Sequence, residues 1–285
     1  MAARAGECTK LGYSKVHSPA YSFPFFFFFK PWAGSWRFFM TSCKDLYLGL
    51  MKACLTNLIY GDLNMLHGRS LPYDAKVRDE GRDWPSVAHT MVGIKRLDNV
   101  QFCVEDALAR GVSGDLMETG VWRGGAVILM RAILQAHGVT DRLVWAADSF
   151  AGLPPPNAAQ YPHDAHLTFN QFKELAVSLE EVEENFRKYN LLDGQVRFLK
   201  GWFRDTLPSA PVEKLAVLRL DGDLYESTMD ALVNLYPKVS PGGFVIIDDY
   251  NDIPACRQAV TDYRSRNGIT GEIQPIDWTG VFWKK

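Results

Sequence analysis

The 285-residue chain is poor in cysteine: five in all, and no two of them form a C-x-x-C pair. Cys8, Cys43, Cys54, Cys103 and Cys256 are odd in number and scattered. That argues against a disulfide framework or a zinc site and for reduced thiols in a cytosol-like, cytoplasmic compartment. Charge of one sign is also missing. The net charge of −2 leaves no basic footprint for nucleic acid. No apolar run is long enough to span a membrane, and no internal repeat recurs. What remains is a chain that is 47% hydrophobic and 22% charged, enough to build a core, and of a length that suits one α/β domain with additions.

Acids are nearly absent from residues 1–40, where Glu7 stands alone among basic residues, serines and the run Phe25 to Phe29. This stretch lacks the order of a secretory signal. Its low-acid, serine-containing composition leaves an organelle leader open, as does a non-native extension ahead of Met40-Thr41-Ser42. It is expected to be a poorly ordered appendage, and residues 41–285 a single domain.

The chain is organised around Leu215 to Tyr250. Leu215-Ala216-Val217-Leu218-Arg219-Leu220 is an apolar run that breaks on Asp221-Gly222-Asp223. A helical pattern follows from about 226 to 236, then a turn at Ser240-Pro241-Gly242-Gly243. A second run, Phe244-Val245-Ile246-Ile247, breaks on Asp248-Asp249. Strand, helix, strand of this length implies a parallel pair, so both acidic ends lie on one sheet edge, the edge where open parallel sheets bind ligands. Asp221, Asp248 and Asp249 then sit at strand mouths roughly 5 Å apart. Carboxylates so close repel unless a cation lies between them, and an all-oxygen set suits Mg2+. The plainer alternative is acids that end strands and face water.

Upstream, Asp115-Leu116-Met117 reads as a strand entering Glu118-Thr119-Gly120-Val121-Trp122-Arg123-Gly124-Gly125, with a helix beyond it to His137. Strand, glycine turn and helix make a cofactor arrangement. Glu118 would repel a diphosphate but attract the ammonium of S-adenosylmethionine. The next strand, Leu143 to Ala147, ends on Asp148-Ser149-Phe150, where an acid binds ribose hydroxyls; on its own Asp148 could equally be a cap. A third strand, Val196 to Leu199, ends at Gly201-Trp202-Phe203, where an aromatic stacks on adenine or packs on a neighbour. The cofactor candidates are Glu118, Thr119, Gly120, Trp122, Asp148, Ser149, Phe150, Trp202 and Met91, although Met91 and Trp84 also suit ordinary core.

Residues 41–112 are expected to be helical: one helix from Lys44 to Tyr60, and a second from Val87 to Arg110, capped by Ser86 and stopped by Gly111. Residues 151–178, with Pro154-Pro155-Pro156, His163 and His166, form a long connection expected to be a mobile lid. Helices are expected at about 179–189 and 254–266. Glu272 to Ile276 and Gly280 to Trp283 close the chain as a hairpin with an antiparallel edge.

Taken together, Glu118 to Gly125, Asp148-Ser149-Phe150, Gly201-Trp202-Phe203, Leu220 to Asp223 and Pro241 to Tyr250 closely resemble the macrocin O-methyltransferase family. Tyr60-Gly61-Asp62 and Trp84 to Met91 resemble its N-terminal region. The resemblance spans about residues 44–285. It implies the Rossmann-like class I methyltransferase fold, seven strands with the last antiparallel, and S-adenosylmethionine as cofactor. It further implies Mg2+ on Asp221, Asp248 and Asp249, transfer to an oxygen of a vicinal diol on a glycosylated natural product, and a homo-oligomer, dimer or tetramer. Asp223, two residues beyond Asp221, is expected as the general base, with its use as a helix cap the alternative and His163 the second choice. A catechol-type O-methyltransferase, a nicotinamide oxidoreductase and a non-catalytic cofactor-binding scaffold are the competing functions.

Overall fold

The computed structural model describes residues 42–65 and 69–285; the extension expected at 1–40 lies outside them. Seven strands form one sheet in the order β3-β2-β1-β4-β5-β7-β6. They are β1 Asp115–Thr119, β2 Val144–Asp148, β3 Val196–Lys200, β4 Leu215–Leu220, β5 Val239–Ile247, β6 Gln274–Pro275 and β7 Val281–Lys284. Strands β1 to β5 are parallel, and β7 runs antiparallel to both β5 and β6. This is the class I fold.

Central strands covered on both faces read as unbroken apolar runs, and β4 is buried at all six positions. Alternation along each strand feeds two cores. Leu116, Ala146, Val217 and Ile246 pack under helices α1 (Cys43–Leu55), α3 (Ile94–Ala109) and α4 (Gly125–Ala136). Met117, Trp145, Leu218 and Val245 pack under α7 (Tyr225–Leu235) and α8 (Pro254–Arg266). Three shorter helices complete the set: α2 (Ala75–Asp79), α5 (Leu179–Lys188) and α6 (Phe203–Thr206).

Helix α1 starts on a reciprocal cap. The Ser42 hydroxyl accepts from the Asp45 amide at 3.1 Å, and Asp45 accepts from the Ser42 amide at 3.1 Å, which satisfies two otherwise orphaned donors. The second helix is shorter than its periodicity predicts. Ser86 does not cap it, and the helix begins after Gly93. The reason is Asp62, whose carboxylate takes the amides of Val87 and Ala88 and the Ser86 hydroxyl, holding residues 84–93 out of the helix. Gly111, at φ +66°, stops the helix as expected. The turn expected at 240–243 is absorbed into β5 as an irregularity: Val239 to Phe244 passes against Leu215 to Val217 of β4.

Residues 151–178, expected as a lid, carry three short 3-10 turns and are tied down along their length. The Ser149 hydroxyl donates to the Gly152 carbonyl at 2.6 Å. The Trp122 indole N–H donates to the Glu174 carbonyl at 2.9 Å. Asp164, fully buried, accepts from the Tyr225 amide at 2.6 Å and the Glu226 amide at 3.1 Å. Helix α7 has no side-chain cap of its own at Leu224, so the connection supplies one from 60 residues away in sequence. Asp164→Ala should cost about 2 kcal/mol, the upper end for a lost cap, and lower the melting temperature by roughly 4–8 °C. Asp164→Asn, which keeps one acceptor oxygen, should recover about half of that; equal melting of all three proteins by calorimetry would refute the cap.

No helix among the described residues is long and apolar enough to cross a membrane, and the described cysteines are free.

Candidate functional site

The parallel ladder continues past the strand ends and locks the residues that follow them. The Gly120 amide donates to Ala147 at 2.8 Å, the Asp221 amide to Thr119 at 2.8 Å and the Asp248 amide to Leu220 at 2.9 Å. The Gly120 φ of +81° and the Trp122 φ of +47° turn the chain back into α4. The carboxyl edge of β1, β2, β4 and β5 is thereby fixed as the floor of two cavities. One is lined by Gly120, Asp148, Ser149, Trp202, Phe203 and Glu226 among others. The second, about 370 Å³, is lined by Trp84, Arg96, Glu118, Phe169, Asp249 and Trp278 among others. Met91, Trp122, Leu175, Asp221 and Asp223 face both, so the two are compartments of one site.

Asp148 accepts the Val121 amide at 2.7 Å and the Phe150 amide at 2.8 Å. Burial raises its carboxyl above the usual range against the pull of these amides. It is held at a fixed place between the glycine turn and the start of the 151–178 connection, with its carboxylate at the first cavity. Trp202 caps the short α6 and faces the first cavity. Two expected cofactor residues stand elsewhere. Phe150 is buried in the core, edge-on to Phe198 at 6.2 Å, and the Thr119 side chain is fully buried with its hydroxyl unpartnered.

Glu118 is 1% exposed and ion-paired to Arg219, its register partner on β4. It faces the second cavity, not the first. Burial pushes its carboxyl up to about 8 despite the guanidinium, and Oε2 has no hydrogen-bond partner.

The acids divide differently from the sequence expectation. Asp221, Asp223 and Asp249 each bring a carboxylate oxygen to within 4.8 Å of the others. Asp248 is turned to the arginines: it is 4% exposed and pairs with Arg96 and Arg219. Arg219 also reaches Asp221 at 2.8 Å, while Arg96 reaches Asp277 at 3.0 Å. Asp223, at φ +56°, stands where Asp248 was expected. The cluster holds more negative charge than its depth tolerates. Burial, with Asp248 next, pushes Asp221 up to about 6. Burial and the neighbouring carboxylates hold Asp223 and Asp249 well above the usual range. Asp249 Oδ2 is buried without a partner. Such a set of oxygens is of the kind that a hard divalent cation fits.

His163 is not part of this arrangement. It stacks on Tyr225 at 5.3 Å and lines neither cavity. Arg219, Arg96 and Asp164 went unread in the sequence. The one available signal was Arg219, a lone charge inside an otherwise apolar strand, which must be paired to be buried.

Residues 44–285 match the model of the macrocin-O-methyltransferase (TylF) family. The chain is 61% identical over 246 residues to the 8-demethyl-8-(2,3-dimethoxy-alpha-L-rhamnosyl)-tetracenomycin-C 4'-O-methyltransferase of Streptomyces olivaceus, covering 85% of this chain and 93% of that one. It is 56% identical over 249 residues to the demethyldecarbamoylnovobiocin O-methyltransferase of Streptomyces niveus, covering 86% and 95%. The solved structure of the O-methyltransferase NovP superposes with a TM-score of 0.81 at 56% identity, over 85% of this chain and 99% of that one. The calicheamicin methyltransferase CalS11, at 19% identity and a TM-score of 0.52, shares the fold.

Proposed function

This chain belongs to the macrocin O-methyltransferase family, and we propose that it transfers a methyl group from S-adenosylmethionine to one hydroxyl of a vicinal diol on the sugar of a glycosylated natural product, with Mg2+ as a further requirement. The observation that carries the proposal is the placement of the acid cluster. Asp221 and Asp223 form the wall between a cavity that contains Asp148 and one walled by Trp84, Phe169 and Trp278. Membership of an O-methyltransferase family sets aside the oxidoreductase and scaffold alternatives. A sugar acceptor, and not a catechol, follows the relative named for a rhamnosyl-tetracenomycin, and aromatic walls suit the apolar faces of a sugar ring.

In the first cavity Asp148 accepts from the ribose hydroxyls, Trp202 and Trp122 flank the adenosine, and Met91 closes the wall. The cofactor's amino-acid end would extend past Met91 and Asp221, which face both cavities, into the second, where the free Oε2 of Glu118 would meet its ammonium. The cofactor supplies the reactivity, and the protein aligns the acceptor oxygen behind the methyl carbon. When bound, S-adenosylmethionine would supply an electrophilic methyl that would pass from sulfur to the acceptor oxygen, with S-adenosylhomocysteine as the leaving product, and Asp223 would take the hydroxyl proton. Burial, then Asp221 and Asp248, raises the Asp223 carboxyl well above the usual range; a cation on its neighbours would favour the ionised form that can take the proton.

The donor set fits a hard divalent cation: all oxygen, clustered, with an orphaned buried oxygen on Asp249. Asp221 and Asp249 would hold it, with Asp223 beside them and Asp248 engaged by its two arginines. When bound, Mg2+ would fix the diol and lower the pKa of the attacking hydroxyl. The N-terminal part leaves Leu46, Leu50, Tyr60 and Val87 exposed, which suits a homo-oligomeric assembly.

The test is titration with S-adenosylhomocysteine, light scattering on the same sample, and a methyl-transfer assay on diol-bearing glycosides with and without chelator. Binding, an oligomer and chelator-sensitive turnover are expected. Turnover that survives complete chelation removes the metal role, a monomer removes the assembly, and absence of cofactor binding overturns the proposal.

A further inference from the structure

The first cavity extends past Trp202 to the first turns of α7, where Glu226 and Asp230 stand one turn apart and both line it. Glu226 is 6% exposed. Its Oε1 accepts from Arg204 at 3.3 Å, but Oε2 is buried with no hydrogen-bond partner. Arg204 pairs with Glu226 and not with Asp230. Burial, with Glu226 next, pushes the Asp230 carboxyl up to about 6. A buried, unpartnered carboxylate oxygen costs free energy unless a donor reaches it, so this end of the cavity is built for a ligand group that donates hydrogen bonds.

The rest of the cavity identifies the donor. Leu153 and Pro154 line it with Trp202 and Phe203, a set of apolar and aromatic side chains suited to a flat heterocycle. Asp148 lies among the same lining residues. With a ribose on Asp148, as the proposed function has it, the attached purine extends along these walls toward α7. We propose that Glu226, assisted by Asp230, accepts hydrogen bonds from the exocyclic amino group of the cofactor's adenine, and so selects a 6-aminopurine over a 6-oxopurine. A 6-oxo group would turn its own lone pairs toward the carboxylate oxygens, and a site built around a hydrogen bond rejects an analogue that cannot make it.

This rests on the reading of the first cavity as the S-adenosylmethionine site, and calorimetry separates the two. The wild-type protein is titrated with S-adenosylhomocysteine and with S-inosylhomocysteine. The inosyl ligand should bind about 30–100-fold more weakly, the range for a lost hydrogen bond to a charged group. In Glu226→Gln, whose amide donates as well as accepts, S-adenosylhomocysteine should weaken about 10-fold and the gap between the ligands should close to about 3-fold. Asp230→Asn should move both values in the same direction by less. Equal wild-type affinity for the two ligands overturns the assignment without any variant. So does a Glu226→Gln protein that melts with the wild type and keeps the full gap. Binding of neither ligand by the wild type instead removes the cofactor reading, and this inference with it.

Discussion

Asp223→Asn is expected to lower kcat by about 10³-fold, the range for loss of a positioned general base, with S-adenosylhomocysteine affinity within about 3-fold of the wild type. The substitution is close to isosteric and removes a negative charge from a cluster in which burial, then Asp221 and Asp248, raise the Asp223 carboxyl, and burial, then Asp223 and Asp221, raise that of Asp249. Folding stability should therefore hold or rise, so lost turnover cannot be put down to unfolding. Asp221→Asn is the contrast: it should lose turnover and Mg2+ binding together. Single-turnover kinetics, calorimetry with Mg2+ and a thermal melt on both variants make the comparison. Retention of more than about a tenth of kcat in Asp223→Asn would put the base elsewhere. Loss of Mg2+ as complete as in Asp221→Asn would make Asp223 a ligand, as its closeness to Asp221 and Asp249 permits.

Gly120→Ala is expected to be the most damaging single-methyl change in the site. A Cβ at Gly120 would lie 1.6 Å from the Asp221 carbonyl oxygen, and the residue holds φ +81°. The clash falls on backbone, and the Asp221 amide is bonded to Thr119 at 2.8 Å, so the ends of β1 and β4 must part. Left-handed strain and overpacking together should cost about 3–5 kcal/mol, a fall of roughly 6–20 °C in melting temperature. Cofactor affinity should fall at least 100-fold, because Gly120 lines the first cavity. Gly138→Ala supplies the control. At φ +65° with nothing within 4 Å of its Cβ, it pays the conformational strain alone, about 1 kcal/mol. If the two variants melt together, the close approach of β1 to β4 is not what fixes the glycine.

The strands and their acidic ends were legible because both follow from short-range pattern. Buried parallel strands are apolar runs, and each run stops where the chain reaches the ligand edge. Asp148 could be placed for that reason. What the pattern concealed was pairing over distance. Ser86 resembles a cap, but Asp62, 24 residues earlier, takes the amides that a helix would have left free. Leu224 shows no cap, because Asp164 reaches it from another segment. Asp248 and Asp249 are adjacent in sequence, yet one turns to two arginines and the other to the cavity. Arg219, opposite Glu118 on the neighbouring strand, and Arg96, from α3, decide which. Local sequence carries periodicity and turn chemistry; it does not state which charge neutralises which.

The ties along residues 151–178 carry a consequence for how acceptor range can vary. Between the buried Asp164 and the carbonyl of Glu174, the chain is clamped at one end to the start of α7 and at the other to the indole of Trp122. Phe169, which walls the second cavity, lies within that clamped span. Closing a somewhat longer or shorter loop costs little once its ends are held. The span can therefore change in length and residue type while both anchors stay on the scaffold that presents Asp148, Asp221 and Asp223. On the proposed reading the wall that would meet the acceptor is a replaceable panel on a fixed frame, so a change in this span would alter the sugar accepted without rebuilding the chemistry.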